Sequence, residues 1–207
     1  MKRKIVEILF TPVVFSIIAT IFILWVLSFT SCSRAPEVLP DVKPTKASMA
    51  LKYAKDNKMD TTVCILINFK MSSKWPRMSV VDLQSGKPIS RGLTCHGMGL
   101  TYTNKIMFSN VEGSHLSSLG KYRIGSRGWS NWGINVKYIL HGLDRTNSNA
   151  KQRNIVLHSW EAIPDKQGRT RREIVKGYGC PAVSNTYMRH LDKVLKNRKN
   201  VLLWIYV

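Results

Sequence analysis

The sequence has no H-E-x-x-H, no C-x-x-C and none of the close His and Asp spacing that supports most zinc sites, so neither a metal nor another cofactor is expected. It also lacks internal repeats and low-complexity tracts, which leaves one domain of ordinary size with its own core. Acidic residues are scarce, 12 against 32 Lys and Arg in 207 residues, and the net charge is +20. Cysteine is scarce too, with four in the chain. Charge is absent altogether from Ile8 to Thr30.

That uncharged run follows Lys2, Arg3 and Lys4, and a basic start before an apolar run is an export signal or a membrane anchor. It exceeds the usual signal core of about 7–15 residues and reaches the roughly 20 needed to span a bilayer. Phe29-Thr30-Ser31-Cys32 closes it with two small residues before a cysteine, similar to the lipobox of bacterial lipoproteins, with Cys32 as the acylated residue. A plain spanning helix ending at a cysteine is the alternative. Both place residues 1–32 as signal or anchor, 33–47 as a linker with Pro36, Pro40 and Pro44, and 48–207 as a domain on the periplasmic side of the cell envelope, tethered to a membrane. Residues 33–207 carry 29 basic and 11 acidic residues, a net charge of +18 that favours polyanions. Export removes nucleic acid as the default partner and leaves anionic lipid and cell-wall polymers.

An oxidising envelope permits one disulfide among Cys64, Cys95 and Cys180. Cys64 and Cys95 lie in strand-like segments and could pair, which makes Cys180 in its Gly-rich turn the candidate reactive thiol, but spacing alone does not decide whether they bond. Residues Val63–Phe69, Met78–Leu83, Lys121–Ile124, Ile134–Leu140 and Asn154–Leu157 read as short strands, and Val201–Val207 as a buried closing strand. Helices are expected from a Ser48 cap through Asn57, with Met49, Leu51, Tyr53 and Ala54 inward, and from a Ser184 cap to Lys196. The fold class is therefore mainly β (α+β) with one or two peripheral helices.

Glycines flank Tyr178 in Gly177-Tyr178-Gly179-Cys180-Pro181, so the backbone can turn sharply and aim successive N–H groups at a developing oxyanion. The helix opening near Ser184 is expected to favour the thiolate. His158 ends a strand-like segment 22 residues earlier, and an imidazole near neutral pKa can take a thiol proton and return it to a leaving amine. A structural cysteine and a merely exposed histidine are the bland alternatives. His96 and His141 each precede a glycine and either line a cleft or serve the fold.

Cys95-His96-Gly97, Phe108-Ser109-Asn110, Ser117-Ser118-Leu119-Gly120, His141-Gly142-Leu143-Asp144, Asn149-Ala150, Arg153 through His158, and Gly179-Cys180-Pro181-Ala182 occur in one order across residues 61–207. In this ordered set the chain resembles the murein L,D-transpeptidase catalytic domain proteins, a divergent branch of the L,D-transpeptidase superfamily. The resemblance implies a β-sandwich or barrel catalytic domain, with His158 and Cys180 as the catalytic pair and Gly179 lending a backbone N–H. It implies peptidoglycan stem peptides as substrate, attack on the carbonyl of the third stem residue, usually meso-diaminopimelate, and loss of D-alanine. Transfer to a second stem gives a 3→3 crosslink, and transfer to water gives L,D-carboxypeptidase activity. Carbapenems acylate the same thiol in many superfamily members. A non-catalytic wall-binding module is the third reading. Two departures stand out: Gly177 replaces the serine of the branch's Ser-aromatic-Gly-Cys-Pro pattern, and Ala182 replaces the superfamily's arginine two positions after the cysteine. Arg153, Arg171 and Arg172 are candidates to bind the substrate carboxylate in its place, beside His96, His141 and Tyr178 as cleft residues.

Overall fold

The computed structural model describes residues 44–101, 105–167 and 172–207. The apolar N-terminal run, Cys32, most of the expected linker and Arg171 lie outside the described residues. Among the described residues no helix is long and apolar enough to cross a membrane.

Residues Val42–Val207 form one compact unit. The element order is α1 (Pro44–Asp56), β1 (Val63–Asn68), β2 (Met78–Asp82), β3 (Pro88–Gly92), β4 (Gly120–Trp129), β5 (Val136–Gly142), a 3-10 turn (Arg145–Asn147), β6 (Val156–Ser159), β7 (Ala182–Val183), α2 (Asn185–Leu195) and β8 (Leu202–Tyr206). All eight strands join one mixed sheet in the order β3-β2-β1-β8-β4-β5-β6-β7. Val80 near one end of that order and Val183 at the other share a core with Met188, Leu191 and Leu195 of α2. The sheet is therefore curled around α2. The fold is mainly β, as the sequence predicts.

The apolar C-terminal run becomes a central strand: β8 pairs parallel with β1, Cys64 opposite Leu202, and antiparallel with β4, Gly120 opposite Ile205. Its near-continuous hydrophobicity follows from cover on both faces. The second cover is α1, whose Ala47, Ala50 and Ala54 pack on Cys64, Leu66, Val81 and Leu202. This helix differs from the expected one in its start and in its buried face. The helix starts at Pro44 instead of at a Ser48 cap, because proline suits a first turn whose N–H groups have no intrahelical partner. The buried stripe is alanine and Met49 is exposed, since only small side chains let the helix approach so closely.

Helix α2 follows expectation. Ser184 Oγ accepts from Tyr187 N at 3.2 Å, and Met188, Leu191 and Leu195 are buried, each stabilising the fold by roughly 1.5–3 kcal/mol. A bulge between Ile124 and Arg127 in β4 aims Arg127 at this helix, where its Nε donates to Asp192 Oδ1 at 2.7 Å and Tyr138 Oη donates to the same oxygen at 2.7 Å. Strands β3 and β7 have no signal in the sequence pattern: β3 is an edge strand with proline, serine and arginine, and β7 has two residues.

Cys64 and Cys95 do not bond; both are free. Cys64 faces the α1 layer, whereas Cys95 packs with Leu93, Ile163, Ile174 and Ala182 in a separate cluster.

Candidate active site

The turn that carries Cys180 is fastened on two sides. Gly177 N donates to His96 O and Met98 N donates to Gly177 O, both at 2.8 Å, so Gly177 bridges to Gly97. On the other side Gly97 N donates to Ser117 Oγ, which donates to Gly179 O, each at 3.0 Å. Gly179 has φ of +107°, and a Cβ there would lie 2.7 Å from Leu116 O, so both backbone and space require glycine. With the Gly179 carbonyl held on Ser117, planarity of the trans peptide turns the Cys180 N–H the opposite way.

Cys180 is half-buried. Its Sγ accepts from Val156 N at 3.4 Å and donates to Asn154 O at 3.7 Å. Burial pushes the thiol up, against the Val156 N–H and the charges of Arg153 and Lys137. The influences favouring the thiolate thus come from β6 and two cations. Helix α2, expected to help, begins only after β7 has carried the chain onward from the turn.

His158 stands inside β6, paired with Lys137 of β5 and Ala182 of β7. Its Nδ1 lies 2.9 Å from Ser159 O. A carbonyl can only accept, so Nδ1 holds the proton and Nε2 is the basic atom. Burial lowers the pKa, so the ring stays neutral further into acid than a free imidazole. Among the described residues no hydrogen bond joins the imidazole to the thiol, whose proton rests on Asn154 O instead.

Three cavities meet at Cys180. One of about 310 Å³ also exposes His158, Trp132, Trp160, Lys176 and Tyr178. A second, of about 370 Å³, shares His158 and Trp132 and adds Trp129, Lys137 and Asn154. The third, of about 300 Å³, runs between Tyr178, His115, Gln152 and Glu112, and Glu112 is the one acid lining any of the three. Trp132 and Trp160 meet edge to face with centroids 6.1 Å apart. These walls suit a peptide with apolar and polar segments.

The other sequence candidates divide. Tyr178 is 69% exposed beside Cys180, its ring 4.6 Å from His115, a histidine whose loop position in the sequence marks no role. His96 is buried, and its Nδ1 accepts from Arg77 Nη2 at 2.8 Å. Arg77, also buried, donates to Thr94 O and Met71 O, so His96 supports the fold beneath the turn. Burial first, then Arg77, brings the His96 pKa down to about 4. His141 shares a face of β5 with Lys137 but lies four residues along, opposite Arg123. Arg153 lines the third cavity, yet its guanidinium donates to Ser109 O, Ser118 Oγ, Ser114 Oγ and Leu116 O. Those bonds occupy it as a strut for residues 109–118. Arg172 is exposed and lines none of the three cavities. Ala182 is buried beside Leu93, Cys95 and Ile163 and lines the first cavity, where its methyl group offers no charge to a substrate carboxylate. Nothing in the spacing of Trp129, Trp132, Trp160 or Lys137 marks them in the sequence as cavity-lining residues.

The sequence model of the L,D-transpeptidase catalytic domain matches residues 37–206. The chain belongs to that family. Membership supports an activity on peptidoglycan and a place in the cell envelope. No curated protein matches the chain. Among solved structures it is similar to an L,D-transpeptidase of Xylanimonas cellulosilytica (residues 123–326), at 13% identity over 75% of this chain and 68% of that one, TM-score 0.39. It is also similar to the helical cell shape determining protein Pgp2 of Campylobacter jejuni, at 16% identity over 79% of this chain, TM-score 0.43. Bd1075 of Bdellovibrio bacteriovorus stands at 16% identity over 72%, TM-score 0.44. The chain spans 56% of the length of Pgp2 and 49% of Bd1075. In this L,D-transpeptidase domain the family segments mainly fix the turn: Ser117 holds Gly179, and Ser118 and Ser109 hold Arg153.

Proposed function

We propose that the protein is a cysteine L,D-transpeptidase acting on peptidoglycan stem peptides. The reading rests on Cys180 and His158 opening onto the same two cavities, with His158 Nδ1 anchored on Ser159 O and Nε2 left basic. The Cys180 side chain rotates away from Asn154 O, and His158 Nε2 takes the thiol proton. The thiolate attacks the carbonyl of the third stem residue, and the N–H groups of Gly179 and Cys180 face the oxyanion. The imidazolium gives its proton to the D-alanine nitrogen as the C–N bond breaks, leaving a thioester. An amine of a second stem then attacks the thioester, yields a proton to His158 and restores the thiol, which forms the 3→3 crosslink. One amide is exchanged for another, so no external energy source is required. Residues 1–32 hold the domain at the membrane, either as an anchor or through a lipid on Cys32.

The test is to mix the intact protein with a stem tetrapeptide or a carbapenem and weigh it. A single acyl adduct that disappears in Cys180→Ala supports the assignment, and an adduct that persists there refutes it. His158→Ala should slow acylation by about 10²–10⁴-fold. Crosslinked dimers among the products identify transfer to an amine, whereas tripeptide and free D-alanine identify hydrolysis.

A further inference from the structure

With Arg153 engaged by four acceptors and Ala182 in place of the superfamily arginine, the substrate carboxylate needs another cation. Lys137 lies directly opposite His158 in the β5–β6 pairing, so the two side chains leave the sheet on the same face as neighbours. It lines the second cavity with His158 and Cys180, and no carboxylate lines that cavity. The residue is half-buried, and its side chain forms no hydrogen bond or ion pair among the described residues. Lys176 lines the first cavity instead. Glu161, an acid close enough to act on His158, lines none of the three cavities.

The chemistry of the leaving group fixes where a cation is useful. His158 must reach the nitrogen of the departing amino acid, and the carboxylate of that amino acid is two bonds beyond the nitrogen. A group that binds it therefore stands beside the imidazole, on the side away from the sulfur. We infer that Lys137 binds the C-terminal carboxylate of the leaving D-amino acid and makes the second cavity the leaving-group pocket, an inference that rests on the acyl-transfer reading above. It selects donors ending in a free carboxylate at that position. A half-buried ammonium–carboxylate contact of this kind carries on the order of 10- to 100-fold in kcat/KM.

The experiment compares two stem tetrapeptides, one ending in free D-alanine and one in D-alanine amide, as donors for the intact protein, Lys137→Ala and Lys137→Arg. Wild type should prefer the free acid by about 10- to 100-fold. Lys137→Ala should lose that preference by slowing far more on the acid than on the amide, whose turnover falls only as far as the thiolate loses the charge of Lys137, and Lys137→Arg should recover part of the preference. Equal slowing on both donors would assign Lys137 to the fold or to the thiol and overturn the inference. Unchanged selectivity in Lys137→Ala overturns it as well. Turnover of neither donor by wild type defeats the acyl-transfer reading itself, and so is told apart from failure of the Lys137 assignment.

Discussion

A Cβ placed on Gly177 would come within 3.2 Å of Cys95 Sγ. That sulfur has little freedom to withdraw, because it donates to Cys180 O at 3.7 Å and is buried among Leu93, Ile163 and Ile174. Gly177 and Cys95 are thus matched, which gives a steric reason for glycine where the family branch carries serine. Gly177→Ser should destabilise the protein by about 1–3 kcal/mol through overpacking. In a Cys95→Ala background the same change should cost clearly less, with a coupling above about 0.5 kcal/mol. Denaturant unfolding of the four proteins measures it, and additive effects would show that the two positions are independent.

Arg153 makes a different prediction from the substrate-binding role its sequence position invites. Four acceptors on residues 109–118 converge on its planar fork, and its Nη2 lies 3.3 Å from the Cβ position of Gly179. A lysine keeps the charge but not the fork, so Arg153→Lys should lose roughly 2 kcal/mol or more of stability. Acylation of Cys180 should fall in parallel for acid and amide donors alike. A variant with wild-type stability but selective loss on carboxylate-bearing donors would return Arg153 to substrate binding.

The sequence marks what depends on pattern. Helix α2 announces itself by its Ser184 cap and buried stripe, β8 by its apolar run, and Cys180 by the glycines that let its turn form. It hides what depends on partners. Whether His96 lines a cleft or lies beneath one is decided by Arg77, 19 residues away and buried. Arg153 resembles a ligand until the carbonyls of Ser109 and Leu116 arrive from a distant loop. Lys137 gains meaning only from the β5–β6 register, and the alanine stripe of α1 only from the sheet beneath it. The short strands β3 and β7 carry too few residues for a period to show.

Acidity should separate stability from chemistry in a way that two histidines explain. His96 has its pKa brought from 6.5 to about 4 by burial and by Arg77, and burial lowers that of His158 as well. A histidine with a depressed folded pKa binds fewer protons folded than unfolded, so its contribution to stability is complete above the unfolded value of 6.5. That contribution is lost as pH falls through about 4, on the order of 3 kcal/mol for His96 alone. His96→Gln keeps an acceptor for Arg77 without a titrating group, and should flatten the unfolding free energy between pH 6.5 and 4. A curve as steep as wild type would remove His96 as the cause. Burial holds the His158 pKa below its ordinary value of 6.5, so the acid limb of Cys180 acylation should lie below pH 6.5. Burial raises the thiol, and alkylation by iodoacetamide should therefore keep climbing past the pH at which a free cysteine levels off. An alkylation rate that plateaus near neutrality would mean a thiolate already formed in the resting enzyme, contrary to a sulfur whose proton rests on Asn154 O.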